Sequence, residues 1–283
     1  MQHDLFSSSK SHSKPDSIGK TEVTYKQSSS LLNKSTGFMD GYDYTLNPYS
    51  GCFFGCTYCY AAFFSRDKEK MDNWGHWVEV KENAVQLLRK KRRSSIEGKR
   101  IYMSSVTDPY QPIEKKLELT RSILEILLPH QPRLVIQTRS PLVTRDIDLL
   151  KQFDHVQVNM TVTTDSEEIR KVFEPQCPKN SARLDAIKKV KDSGIQSVIT
   201  MTPLLPIVNV DQFIHQLKST GISYFIVQPF HADKGKFVAG TREGAFKLLD
   251  KYNWTTARYK EVENYLKKEL PDLGIGKKGF KPI

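Results

Sequence analysis

Arg133-Leu134-Val135-Ile136-Gln137-Thr138 is a short run of apolar, partly β-branched residues, and similar runs recur down the chain at a regular interval. Residues 156–163 alternate β-branched and polar side chains, and 197–201 and 224–228 repeat the pattern, which is that of strands. Between these runs the spacing turns helical. Over 181–193, Leu184, Ile187 and Val190 recur every third residue, and Gly194 supplies a C-terminal stop. Over 210–220, Val210, Phe213, Ile214 and Leu217 share one face, and Gly221 ends it. A short helix is expected around 146–153. Upstream, 101–105 reads as a strand, and a helix capped near Thr120 carries Ile123, Leu124, Leu127 and Leu128. A basic-ended helix is expected over 82–93, with Ala84, Val85, Leu87 and Leu88 on its inner side. With one strand ahead of Cys52, the run at 224–228 becomes the sixth.

Strand–helix units repeated in this way imply an α/β fold, a parallel sheet covered by helices and joined by right-handed crossovers. Such a sheet closes into a barrel or opens as a twisted layer, and in both the functional groups collect at the carboxyl ends of the strands. Residues 1–30 hold nine serines and few large apolar groups, so a mobile tail is expected, with order beginning near Leu31. The last fifty residues read as helical, with Tyr259, Val262 and Leu266 at helical spacing.

The chemistry-bearing stretch is Asn47-Pro48-Tyr49-Ser50-Gly51-Cys52-Phe53-Phe54-Gly55-Cys56-Thr57-Tyr58-Cys59-Tyr60. Its cysteines are separated by three and then two residues, and Gly51 and Gly55 allow the turns that a loop wrapping a compact object needs. Thiolates select iron–sulfur clusters, zinc or copper over hard cations. Three thiolates leave one iron of a four-iron cluster open, and an open iron can bind a cofactor or substrate. Alternatives remain at this point. His76 can complete a zinc site with Cys52, Cys56 and Cys59. Cys177 can close a fully ligated cluster, or the thiols can be inert core groups.

The bulk composition bounds the rest. The chain has 283 residues, 38% hydrophobic and 27% charged, enough for a substantial core. No apolar run approaches the roughly 20 residues of a membrane-spanning helix, and no secretion signal is visible, so a cytoplasmic location with no membrane partner is the expectation. Four cysteines in a chain of this length exclude a disulfide framework. The formal net charge of +11 favours anionic partners, nucleic acid among them. The basic run 89–93 is accounted for by charge at a helix C-terminus, while Trp74, His76 and Trp77 nearby keep a nucleic-acid surface open.

The cysteine spacing, with aromatic Tyr58 before the third cysteine, resembles the signature of the radical S-adenosylmethionine (SAM) superfamily. More closely, the chain resembles the branch related to spore photoproduct lyase, often described as DNA repair photolyase. The matching blocks include 47–60, Thr107-Asp108-Pro109-Tyr110-Gln111-Pro112-Ile113-Glu114, Leu119-Thr120-Arg121 and Thr138-Arg139-Ser140. Arg145-Asp146-Ile147-Asp148-Leu149-Leu150, Phe173-Glu174-Pro175 and Pro203-Leu204-Leu205-Pro206 continue them, over roughly residues 31–230.

The resemblance implies a partial (β/α)6 TIM-type barrel over 31–230, with residues 231–283 as a helical extension packed on it. It implies a 4Fe-4S cluster on Cys52, Cys56 and Cys59, whose open iron chelates S-adenosylmethionine. An external donor of flavodoxin or ferredoxin type supplies one electron, and the cofactor is cleaved to methionine and a 5′-deoxyadenosyl radical that abstracts hydrogen from a substrate. Tyr58 falls near the adenine. The loop Ser104-Ser105-Val106-Thr107-Asp108, with Ser105, Thr107 and Asp108 as its candidate contacts, receives the cofactor's amino group, although the superfamily's usual two glycines and glutamate are missing there. Thr138 and Thr161, with Ser140 and Asn159, are candidates for the ribose or carboxylate. Cys177 does not match the position of the family's hydrogen-donating cysteine. No catalytic residue is assigned, and DNA, RNA, peptide and small metabolite all stand as substrates. The rival class is a zinc-binding nucleic-acid module on Cys52, Cys56, Cys59 and His76.

Overall fold

The computed structural model describes residues 14–91, 93, 96–236 and 240–283. Its strands, in chain order, are β1 (Ser17–Ile18), β2 (Thr21–Lys26), β3 (Leu32–Lys34), β4 (Tyr44–Leu46), β5 (Tyr49–Gly51) and β6 (Trp77–Lys81). They continue as β7 (Arg100–Met103), β8 (Arg133–Thr138), β9 (Val156–Thr161), β10 (Gln196–Met201), β11 (Tyr224–Val227) and β12 (Asp272–Ile275). Eight of them form one sheet in the order β12-β11-β10-β9-β8-β7-β4-β3. All its pairings are parallel except that of β3, which runs antiparallel to β4.

The helices Leu119–Leu127, Ile147–Leu150, Asn180–Asp192 and Val210–Ser219 join successive parallel strands from β7 to β11. The result is an α/β partial barrel, with β4 and β7 to β11 as its six strands. Among the described residues no ladder closes β12 onto β3. The C-terminal segment spans this gap by other contacts: Lys277 Nζ bonds Asp40 Oδ2 at 2.7 Å and Gly37 O at 2.8 Å, and Phe280 meets Phe38 edge-on at 5.5 Å. No described helix is long and apolar enough to cross a membrane.

Alternation along each strand separates two environments. One parity is apolar and packs in the main core: Ile101 and Met103, Leu134 and Ile136, Val158 and Met160, Ile199 and Met201, Phe225 and Val227. The other parity carries Tyr102, Gln137, Thr161 and Thr200, which bond to one another. Tyr102 OH donates to Gln137 Oε1 at 2.8 Å, and Gln137 Nε2 donates to Thr161 Oγ1 at 2.6 Å and Thr200 Oγ1 at 3.0 Å. These four side chains therefore satisfy one another, as buried polar groups tend to.

The ends of the chain depart from expectation. Residues 1–13 of the expected tail lie outside the described residues, but β1 and β2 fall inside that tail. Thr21 and Val23 are buried, and β2 runs parallel to β6 with Glu22 opposite Trp77 and Lys26 opposite Lys81. The partner is some fifty residues away, so no local pattern announces the pairing. The segment from 231 onward carries the expected helices, Glu243–Lys251 and Thr256–Glu269, but also returns β12 to the sheet. The helix expected over 82–93 is shorter, Ala84–Arg89, and Arg92 of the basic run is outside the described residues.

The second sheet, in the order β1-β2-β6-β5, bears directly on the cysteines. β5 is antiparallel to β6, with Tyr49 opposite Val80 and Gly51 opposite Val78, and Cys52 follows at once.

Candidate active site at the cysteine loop

The loop that follows β5 turns where its glycines permit. Gly51 has φ +74° and Gly55 φ +57°, a region that side-chain-bearing residues enter at a cost. A Cβ on Gly51 would stand 2.5 Å from the Trp77 carbonyl, so the second sheet packs flush on the loop. Within it, Gly55 N donates to Cys52 O at 3.3 Å and Cys59 N to Cys56 O at 3.1 Å.

One neighbouring segment holds the loop from behind through three side chains. Thr107 Oγ1 donates to Gly51 O at 2.6 Å, Gln111 Oε1 accepts from Phe53 N at 2.9 Å, and Glu114 accepts from the Tyr49 hydroxyl. Gln111 and Glu114 are wholly buried. Burial pushes the Glu114 carboxyl up against the pull of Tyr49, Thr120 N and Arg145. The block 107–114, quoted above as a family match, is thus in large part the scaffold of the cysteine loop.

Cys52, Cys56 and Cys59 line one cavity of about 590 Å³, together with Tyr58, Ser104 and Arg139. That size suits a cofactor-scale ligand. Burial raises the Cys52 thiol well above its ordinary range and Cys59 to about 11, whereas the hydrogen bond shared with Cys177 lowers Cys56. The Tyr58 ring meets Phe230 edge-on at 5.7 Å. Its hydroxyl donates to Glu174 and accepts from Arg139 Nη2 at 3.1 Å. Glu174 also meets Arg183 Nη2 at 2.6 Å and accepts from Thr163 Oγ1 at 3.0 Å. Two arginines and one carboxylate thereby fix the aromatic ring beside the cysteines.

The other residues named from the sequence separate into wall and support. Ser105, Thr107, Asp108 and Thr161 line the cavity; Thr138 does not. Asp108 is buried, and its oxygens accept from Tyr110 N at 2.9 Å, Thr138 Oγ1 at 2.8 Å and Arg139 N at 2.7 Å. Its carboxylate therefore shapes the end of β8, and Thr138 serves that bond. Thr161 is occupied by Gln137 and Thr200.

Ser104 belongs to the loop that the resemblance assigns to the cofactor's amino group, whereas the wall residues Gln137 and Arg139 receive no role from the sequence. Ser104 has φ +73° and is 3% exposed, and its hydroxyl has no partner among the described residues. A strained, buried, unpartnered hydroxyl on a cavity wall marks a ligand position. Strand parity was the available signal. Tyr102 and Ser104, and Gln137 and Arg139, are alternate residues on the polar side, whereas Thr138 lies on the other.

His76 is exposed and does not line the cavity. Among the described residues, no three His, Cys, Asp or Glu side chains converge closely enough to hold a single metal ion. A mononuclear zinc on Cys52, Cys56, Cys59 and His76 thus has no geometric support. The donor set does fit an iron–sulfur cluster, in which spaced thiolates each bind a different iron.

Comparison with known proteins agrees. The model of the radical SAM superfamily matches residues 46–218. The chain belongs to the radical SAM superfamily. A protein of Methanocaldococcus jannaschii is 40% identical over 187 residues, covering 65% of this chain and 70% of the relative. One of Acidianus two-tailed virus is 30% identical over 201 residues, covering 68% and 64%. The chain thus spans about two thirds of the length of these relatives. A spore photoproduct lyase mutant with bound AdoMet and dinucleoside spore photoproduct shares the fold, with a TM-score of 0.59 at 15% identity over 90% of this chain and 81% of that one. The family implies S-adenosylmethionine and a 4Fe-4S cluster, and in this radical SAM enzyme Cys52, Cys56 and Cys59 are free thiols that line one cavity.

Proposed function

We propose that the enzyme holds a 4Fe-4S cluster on Cys52, Cys56 and Cys59 and cleaves S-adenosylmethionine reductively to abstract hydrogen from a substrate. The observation that carries this reading is the shared cavity, lined by three cysteines of one loop and by Ser104, whose hydroxyl is unpartnered among the described residues. When bound, the cluster and S-adenosylmethionine supply the electron transfer and the hydrogen-abstracting radical.

The chain's own groups bind, orient and exclude water. The Ser104 hydroxyl accepts from the cofactor's ammonium, with Ser105 beside it on the wall. Arg139 presents a cation to the carboxylate, and Tyr58, immobilised by Glu174 and Arg139, offers its ring to the adenine. Gln137 and Thr161 at the barrel floor meet the ribose. Thr107 and Asp108 on the wall, and Thr138 behind it, hold the loops in place. The electron comes from an external donor of flavodoxin or ferredoxin type. Nucleic acid is the first substrate class to try, supported by the net charge of +11.

Anaerobic purification tests the reading: about four irons and four sulfides per chain are expected. Reduced protein with S-adenosylmethionine should release 5′-deoxyadenosine, faster with a true substrate, and Cys56→Ala should not. One zinc and no sulfide would sink the proposal.

A further inference from the structure

Cys177 is the fourth cysteine of the chain, and its sulfur lies 3.7 Å from that of Cys56. Both side chains are buried, at 6% and 5% exposed. The approach is built in. Cys177 N donates to Glu174 O at 3.1 Å, and Arg170 Nη1 donates to Cys177 O at 2.8 Å and to Glu174 O at 3.0 Å. Arg183 Nε grips the next carbonyl, Pro178 O, at 3.0 Å. The same turn is tied to the cysteine loop, because Thr57 N donates to Phe173 O at 2.8 Å.

We infer that Cys177 is a positioning residue whose thiol donates a hydrogen bond to the ligating sulfur of Cys56 and thereby raises the cluster's reduction potential. This rests on the cluster reading above. Two other roles fit the geometry worse. Ligands on separate corners of a four-iron cluster stand well beyond sulfur–sulfur contact, so a thiol touching Cys56 is beside one ligand and not on the open iron. Cys177 also does not line the cavity, so it does not face a substrate there. Donors to cluster sulfurs are among the levers that set such potentials. The reduced cluster carries one more negative charge, and a donor to its ligand stabilises that state more than the oxidised one. The S–H group is a weak donor, which bounds the effect.

The experiment is an anaerobic potentiometric titration of the reconstituted protein, followed by the electron paramagnetic resonance signal of the reduced cluster. Cys177→Ala should lower the reduced-to-oxidised ratio at a fixed potential by three- to tenfold, roughly 28–59 mV for a one-electron couple. Cys177→Ser keeps a donor and should stay at or above the wild-type midpoint. An unshifted midpoint in Cys177→Ala overturns the inference, as does an equal downward shift in Cys177→Ser. Cluster loss in Cys177→Ala with retention in Cys177→Ser supports the bond, whereas loss in both shows that the thiol only fills space. Failure of the wild-type protein to take up iron and sulfide would instead overturn the cluster reading.

Discussion

Replacing Gln111 with methionine separates holding the cysteine loop from holding the fold. Gln111 is fully buried, and its Oε1 accepts from Phe53 N at 2.9 Å, one residue after Cys52. Methionine keeps the length and fills similar space, but leaves that amide with no acceptor. Losing such a bond and stranding its partner costs about 1–1.5 kcal/mol. Because about 1.4 kcal/mol is tenfold in an equilibrium constant, the loop should open roughly ten times more often. Iron bound there should pass to a chelator about tenfold faster, since release needs the open loop. The same energy lowers the melting temperature by only about 2–4 °C in a domain of this size. Anaerobic iron release timed against a strong chelator, with thermal unfolding measured alongside, gives both readouts. A melting temperature lowered as stated with wild-type iron release would refute the argument, because the bond would then belong to the barrel alone.

Two further outcomes follow from single side chains. Ser104→Gly relieves a φ of +73°, where a non-glycine residue pays about 1–2 kcal/mol, so the melting temperature should hold or rise. It also removes the unpartnered hydroxyl, so the affinity for S-adenosylmethionine by calorimetry should fall about tenfold, in line with a bond to a charged group; unchanged affinity would remove Ser104 from the ligand set. The Glu174 carboxyl is pushed up by burial, but Arg183, Arg139 and the Tyr58 hydroxyl outweigh this and hold it at about 2. A depressed carboxyl stabilises the fold fully above its unfolded pKa, near 4.3, and the contribution drains away as the pH falls towards about 2. Glu174→Gln should therefore be less stable at neutral pH and flatter between about pH 4 and 2; curves parallel to wild type over that window would contradict the assignment.

What the sequence displayed, and what it hid, divides by range of interaction. β8 occupies the quoted run 133–138 residue for residue, because alternation and β-branching act locally. The same local rule separates wall from support at the ends of β7 and β8. Applying parity there selects Gln137, Arg139, Tyr102 and Ser104, whereas position near a strand end makes Thr138 a candidate, and Thr138 does not line the cavity. β2 was hidden because its stability comes from β6, far along the chain. Arg183, the partner of Glu174, was hidden for a related reason. A wholly buried ion pair resembles a solvated helix end in sequence, and only the tertiary fold shows that each charge has its partner.

The division of labour in the block 107–114 bears on how a short motif should be read. Its polar residues invite the assumption that each one touches a ligand, yet Thr107, Gln111 and Glu114 are spent on three successive points of the stretch 49–53. Asp108 is spent on the end of β8, where it fixes the backbone of Arg139. One segment therefore sets the cysteine loop and the backbone of Arg139 in register. A reaction that places a cofactor between a metal and a substrate tolerates little misplacement, since displacements of about 1 Å cost orders of magnitude in rate. Rigid support held by buried hydrogen bonds is how such placement is secured. The residues that contact the ligand can then be few, and Ser104 stands at the junction, near the supporting block in sequence and lining the same cavity as the cysteines.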